Sequence, residues 1–340
     1  MTKKVTTKDI AKMLNISTST VSRALTDRYD VNPETRKAVL EMAEKLHYTP
    51  NPISMCLRKQ QSFTIGVVLP EFVNSFFAEV IIGIQEVLSE HGFNMLVAQS
   101  NESFSTEKKN IEFFKNNMVD GLIISVARDS NDVSSYQSLI DSNMPVVFFN
   151  RVPKNVTASK VIVDDRKWAY IATEHLIKQG CKRIAHLAGR DNLSVSRDRK
   201  NGYLDALKAY NMPIDERLII EAGVLMETGS VAAMKLLELP ELPDGLFVVT
   251  DPVAIGAIKT LQKNGVKIPD DIAIVGFSES PMGTIIEPNL TSIKQPTYEM
   301  GIAAAKLLID QIENSNATPQ TITLEATLNQ RESSERNPNK

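Results

Sequence analysis

Val5-Thr6-Thr7-Lys8-Asp9-Ile10-Ala11-Lys12 and, after Met13-Leu14-Asn15, Ile16-Ser17-Thr18-Ser19-Thr20-Val21-Ser22-Arg23-Ala24-Leu25 decide the reading of this chain. Thr6 is placed to cap a helix, with an acidic residue three positions later to close a capping box. Ile10, Ala11 and Leu14 then share one helical face. Asn15-Ile16 makes a turn, and Ser17 caps a second helix running to about Leu25. Val21, Ala24 and Leu25 face inward there, leaving Thr18, Ser19, Ser22 and Arg23 outward. Asn32-Pro33 opens a third helix, a capping residue followed by proline at the first helical position. Its apolar stripe is Val39, Met42, Ala43 and Leu46. Three short helices with a polar second one fit the helix-turn-helix plan, in which the second helix enters the major groove. Small hydroxyl side chains let that helix approach DNA closely. Arg23, one turn after Ser19, has the reach for a bidentate pair with a guanine edge. A generic three-helix bundle with a Ser/Thr-rich turn shows the same periodicity.

Charge supports the nucleic-acid reading. Residues 1–61 hold 11 Lys/Arg against 6 Asp/Glu, whereas the remainder holds 27 against 35. A basic head on an acidic body is the footprint of a DNA-binding module joined to a different kind of domain. The 340 residues exceed one typical domain. No apolar run is long enough to span a membrane, and the basic N-terminus is not followed by the apolar stretch of a secretory signal. Cys56 and Cys181 lie far apart and in no metal-binding spacing, which points to a reducing, cytoplasmic setting without a zinc site.

From Phe63 onward apolar runs alternate with amphipathic stretches. Residues 65–69, 95–97, 121–124 and 146–149 read as buried parallel strands, separated by helices near 75–91, 105–117 and 132–142. A second set of strands follows at 161–163, 183–187, 246–249 and 272–275, with helices near 165–179, 197–210, 228–238 and 253–264. Two doubly wound sheets are implied, with ligands expected in the cleft at the carboxyl ends of the strands.

The head closely resembles the lactose/galactose repressor (LacI/GalR) family of transcriptional regulators. Val31-Asn32-Pro33-Glu34-Thr35-Arg36 and Leu46-His47-Tyr48-Thr49-Pro50-Asn51 continue the match in register. The resemblance implies that Thr18, Ser19 and Arg23 read bases, with Ser22 on the same face, and that Thr6, Ser17, Thr20 and Tyr48 sit near phosphates. Leu14-Asn15 stands where the family usually has Ala-Gly, a changed turn. After Pro50 and Pro52, Ile53-Ser54-Met55-Cys56-Leu57-Arg58-Lys59 is too short for an isolated helix. By resemblance it orders on DNA beside its twin. Leu57 then wedges into the minor groove, with Arg58 and Lys59 near phosphates. A leucine covering a domain junction is the other reading. Ser54-Met55 departs from the usual Ala-Arg.

The body resembles the family's effector region, which is similar to a periplasmic sugar-binding protein. The phrases that carry the likeness are His175-Leu176, Leu187-Ala188-Gly189, Arg199 with Gly202-Tyr203, Gly256-Ala257 and Leu290-Thr291-Ser292-Ile293-Lys294-Gln295-Pro296. The expected fold is therefore an all-α helix-turn-helix head plus an α/β periplasmic-binding-protein-like body of two doubly wound parallel-sheet subdomains. The expected division is a DNA-binding domain at 1–50, a hinge at 51–62 and an effector-binding and dimerisation domain at 63–331. Within that domain, 63–163 and 295–325 form one subdomain and 164–294 and 326–331 the other; 332–340 is a polar tail.

Carried over by position, the cleft should involve Phe76, Phe77, Ser125, Asn150, Arg199, Thr250 and Ser278. Phe76 and Phe77 fit either the cleft wall or the core beneath it, Arg199 either the cleft or the surface, and Trp168 either the cleft or the core. Gly276-Phe277-Ser278 stands where the family usually has Gly-Tyr-Asp, and Thr250-Asp251 replaces a common Asn-Asp. Loss of an anion beside Arg199 favours an anionic ligand. The implied protein is a cytoplasmic homodimer on near-palindromic, double-stranded operator DNA, answering to a sugar, sugar acid or sugar phosphate. No membrane partner, cofactor or metal is expected. A solute-binding transport protein would lack the head. An enzyme would need a motif, and no P-loop, GxSxG or HExxH occurs, while His47, His91, His175 and His186 are scattered.

Overall fold

The computed structural model describes residues 5–25, 31–48, 61–130, 133–314 and 316–336. The chain divides into two units, Met1–Ser62 and Phe63–Lys340. In the first, α1 (Thr7–Leu14), α2 (Thr18–Ala24) and α3 (Pro33–Lys45) each begin at a side-chain cap. Thr6 and Asp9 form the reciprocal capping box, Ser17 accepts from Thr20 N at 3.0 Å, and Asn32 accepts from Glu34 N at 2.9 Å. Asn15 takes the left-handed conformation (φ 53°) that turns α1 into α2, one that Asn tolerates better than most residues. Ile10, Ala11, Val21, Ala24, Val39 and Ala43 close the small core, with Leu14, Leu25, Met42, Leu46 and Tyr48 at its edge.

The second unit is two lobes built to one plan. The first sheet contains β1 (Thr64–Leu69), β2 (Asn94–Gln99), β3 (Gly121–Ile124), β4 (Val146–Phe149), β5 (Ser159–Val163) and β11 (Thr321–Leu324), in the order β11-β5-β4-β3-β1-β2. The second contains β6 (Ile184–Ala188), β7 (Ile219–Glu221), β8 (Gly245–Val248), β9 (Ala273–Phe277), β10 (Thr291–Lys294) and β12 (Thr327–Asn329), in the order β12-β10-β9-β8-β6-β7. Among the described residues all strand pairings are parallel except β10 with β12. Helices on both faces explain why β3, β4 and β9 are buried at every residue.

Around the first sheet pack α4 (Ser75–Glu90), α5 (Phe104–Asn116), α6 (Val133–Asp141) and α11 (Thr297–Glu313). Around the second pack α7 (Asp165–Lys178), α8 (Ser194–Ala209), α9 (Met226–Leu237) and α10 (Asp251–Lys263). Helices cross where glycine lets backbones touch. A Cβ on Gly83 would lie 2.2 Å from the Tyr298 carbonyl oxygen, and one on Gly256 would lie 2.0 Å from that of Met226.

Three expectations need correcting. Val161-Ile162-Val163, taken in chain order with the second set of strands, pairs with β4 in the first sheet, which agrees with the expected first subdomain at 63–163 and not with that grouping. Sequence order alone does not say where the chain leaves a sheet. The half-exposed edge strand at 219–221 adds to the expected set, although Leu218-Ile219-Ile220 is a short apolar run. Ser333 and Ser334, placed in the polar tail, are fully buried. Ser333 Oγ donates to Ile274 O at 2.7 Å and accepts from Thr291 N at 2.8 Å, while Ser334 Oγ bonds His175 Nε2 at 2.8 Å. The hydroxyls satisfy strand groups at the end of a sheet, so polarity there does not mean exposure.

Candidate functional site

On the head, Ser17, Thr18, Ser19 and Arg23 are exposed along α2 and its cap, with Thr20 and Ser22 half-buried beside them. Ser17 Oγ lies 2.7 Å from Ser19 Oγ and 2.8 Å from Thr20 Oγ1, so the hydroxyls form one chain over the helix N-terminus. That end carries unsatisfied N–H groups and a positive partial charge, which suits a phosphate. Thr6 is exposed at the start of α1, and Tyr48 is half-buried against the core. Leu57, Arg58 and Cys56 lie outside the described residues.

In the body, the lobes meet over a cavity of about 30 Å³ at the carboxyl ends of the strands. Six of the seven expected residues line it: Phe76, Phe77, Asn150, Arg199, Thr250 and Ser278. Ser125 is buried but is not among the lining residues. Both phenylalanines serve core and wall at once, stacking edge-on at 5.1 Å while nearly buried. Asn150 follows β4 and Ser278 follows β9, and both adopt positive φ (55° and 63°). Each lobe thus turns a polar residue into the cleft through a left-handed corner, a conformation uncommon outside glycine.

Residues the sequence reading missed complete the wall: Asn74, Arg151, Val195, Ser196, Val224 and Val249. Val195 and Ser196 escaped because α8 begins at Ser194, three residues before its periodicity becomes legible. Arg151 directly follows Asn150, but nothing local marks it.

The charges are paired. Arg199, 3% exposed, donates through Nε and Nη2 to Asp165 Oδ1 at 2.8 and 2.7 Å, and through Nη1 to Val249 O at 2.6 Å. Its guanidinium stacks 3.7 Å from the Phe277 ring centroid. Burial pushes the Asp165 carboxyl up, and the Arg199 guanidinium beside it pulls it back. Arg151 Nη1 donates to both carboxylate oxygens of Glu102, at 2.8 and 2.9 Å. Glu102 also accepts from Arg128 N at 2.9 Å, and the Arg128 carbonyl accepts from Asn192 of the opposite lobe at 2.5 Å. Among the buried hydroxyls, those of Ser196 and Thr250 face no protein partner.

Other candidates are structural. His186 stacks on Phe247 at 4.7 Å and hydrogen-bonds its carbonyl at 3.0 Å; burial pulls its pKa down to about 4. Trp168 packs at the edge of the core. The buried Cys181 thiol is pushed up to about 12 by burial. Among the described residues no group of acidic, His and Cys side chains could hold a metal ion, and no helix is long and apolar enough to cross a membrane.

A helix-turn-helix head and a two-lobed binding body define a DNA-binding, ligand-responsive transcriptional regulator. Residues 6–51 match the family model of bacterial regulatory proteins of the lacI family, and residues 62–332 match that of periplasmic binding proteins and the sugar-binding domain of the LacI family. The chain belongs to the LacI family. It is 32% identical to the ribose operon repressor of Halalkalibacterium halodurans, over 91% of this chain and 90% of that one. It is also 32% identical to the transcriptional repressor CytR of Escherichia coli, over 92% and 91%. Among solved structures, the transcriptional regulator CelR in complex with cellobiose matches with a TM-score of 0.75 at 30% identity, covering 97% of this chain and 100% of that one. The family consists of DNA-binding regulators and not enzymes.

Proposed function

We propose that the protein is a homodimeric repressor of carbohydrate-related genes whose hold on a near-palindromic operator changes when a neutral saccharide occupies the cleft. The observation that carries this is a cavity walled from both lobes, with aromatic faces on one side and unpartnered buried hydroxyls on the other. Aromatic faces suit sugar rings, and buried hydroxyls without partners suit a ligand rich in hydrogen-bonding groups. The paired arginines argue against an acidic ligand, although the missing anion at Ser278 favoured one in the sequence. Glu102 and Asp165 already neutralise them, and an added anion would face those carboxylates. The named relatives include a ribose operon repressor and a regulator in complex with cellobiose, which supports a sugar as the ligand.

A ligand that binds one arrangement of the lobes better than the other shifts the population competent for DNA. Two-fold symmetry would match two half-sites. Thr18, Ser19 and Arg23 would then read bases. Ser22 would lie on the same face, Thr6, Ser17, Thr20 and Tyr48 would sit near phosphates, and Leu57 and Arg58 would act from the hinge. Fluorescence anisotropy on a labelled operator tests this. A saccharide that stabilises the protein should change operator affinity at least tenfold, and an unchanged affinity contradicts the proposal. Arg23→Ala should cost about 1–3 kcal/mol on the operator and relax preference at one base pair. An equal loss on random DNA contradicts base reading.

A further inference from the structure

Beside the cleft lies a second cavity, of about 240 Å³, sharing Phe76 and Ser278 with it. Glu79, Glu279, Thr284 and Gln295 contribute to its remaining wall. Gln295 is 3% exposed. Its Oε1 accepts from Ser278 Oγ at 2.6 Å, while its Nε2 is buried without a hydrogen-bond partner. Buried amide N–H groups in folded proteins almost always have a partner. Glu79 accepts from the Thr297 hydroxyl, and Glu279 accepts from Arg331 at 2.7 Å and Asn329 at 2.8 Å.

We infer that this annex is a second subsite of the same ligand, and that the effector is a neutral two-unit saccharide or glycoside. One ring lies in the cleft and the other in the annex. The inference rests on the reading of the cleft as a saccharide site. Ser278 stands between the two cavities at a left-handed corner, a position where Asn and Asp are enriched. Either would reach further than serine and close the gap, so the short side chain leaves the cavities adjoining. The Gln295 amide offers a donor to a ring or hydroxyl oxygen. Glu79 and Glu279 accept hydroxyl donors, and their charges are balanced by Lys294 in the same wall and by Arg331 on Glu279, which suits a neutral ligand.

The test uses the intact protein. Thermal shift, then titration calorimetry, compares glucose, galactose and xylose with cellobiose, lactose and xylobiose, and with glucose 6-phosphate. At least one disaccharide should bind 100-fold more tightly than either component monosaccharide. Thr284→Trp, an exposed position that fills the annex, should remove at least tenfold of that advantage. A monosaccharide that binds as well as its disaccharide overturns the annex alone. Stabilisation by no saccharide of either size overturns the cleft reading as well. Preference for the phosphorylated sugar overturns the neutrality. The wild-type comparison decides the matter even if the tryptophan variant fails to fold.

Discussion

The two lobes share a strand order and a left-handed corner, yet only one of them brings aromatic rings to the cleft and only the other brings hydroxyls without partners. The first offers Phe76 and Phe77, with Asn150 and Arg151 at their edge; the second offers Arg199, Ser196, Thr250 and Ser278. The first lobe supplies the aromatic faces and the second the hydroxyls, set among Val195, Val224 and Val249. Their arginines differ in the same sense. Arg199 and Asp165 sit on helices α8 and α7 at 3% and 8% side-chain exposure, whereas Glu102, which holds Arg151, belongs to a loop and is 14% exposed. A repeated fold therefore yields a division of labour through its helix starts and loops and not through its sheets.

Charge removal should expose that difference most strongly. Asp165→Ala leaves Arg199 buried without its partner and should cost about 3–5 kcal/mol. Glu102→Ala, in a wetter setting, should cost about 2 kcal/mol. Urea unfolding followed by the fluorescence of Trp168, the only tryptophan, measures both, and equal losses would erase the contrast. Glycine crossings, by comparison, are a shared device. Gly83→Ala in the first lobe and Gly256→Ala in the second force a Cβ onto a carbonyl oxygen at 2.2 and 2.0 Å. Each should cost about 2–3 kcal/mol in the same assay, since overpacking is destabilising. A large difference between them would show that one lobe yields and the other does not.

The smallest effect is one of pH. Asp251, fully buried at the start of α10, accepts from Ser280 N at 2.9 Å and Ser292 Oγ at 2.6 Å; burial pushes its pKa up to about 7. A raised folded pKa means that the protonated form stabilises the fold. That contribution is complete below the unfolded carboxyl's range and is lost as pH rises through about 7. From pH 6 to pH 8 the loss should be about 1 kcal/mol. Asp251→Asn should flatten the slope over that interval, and an unaltered slope would assign it to another group. The first lobe holds its own raised carboxyl, Glu107, likewise pushed up by burial and met by Tyr136, Ala127 N and Ser130.

Much of this was legible in sequence because it is local. Thr6 with Asp9, Ser17 and Asn32-Pro33 announce helix starts, and the runs at β1, β3, β4 and β9 announce buried strands. Six cleft residues followed from position by resemblance. What escaped depends on distant partners. Glu102 and Asp165 meet their arginines across 49 and 34 residues of chain, and no spacing rule connects them. Ser333 is buried because Ile274 and Thr291 need its hydroxyl, a demand invisible in a polar stretch near the end of the chain. Phe76 and Phe77 could not be assigned to core or wall because they belong to both.

The return of the chain to its first lobe has a consequence during synthesis. β11 pairs with β5, and α11 packs on α4, so the sheet begun at Thr64 lacks its edge strand and a covering helix until about residue 324 leaves the ribosome. Chains usually fold domain by domain from the N-terminus as they emerge. Here the head can mature early, while the first lobe of the body stays incomplete until residue 324 has emerged. A product cut short before that point would carry a finished helix-turn-helix head joined to an incomplete body.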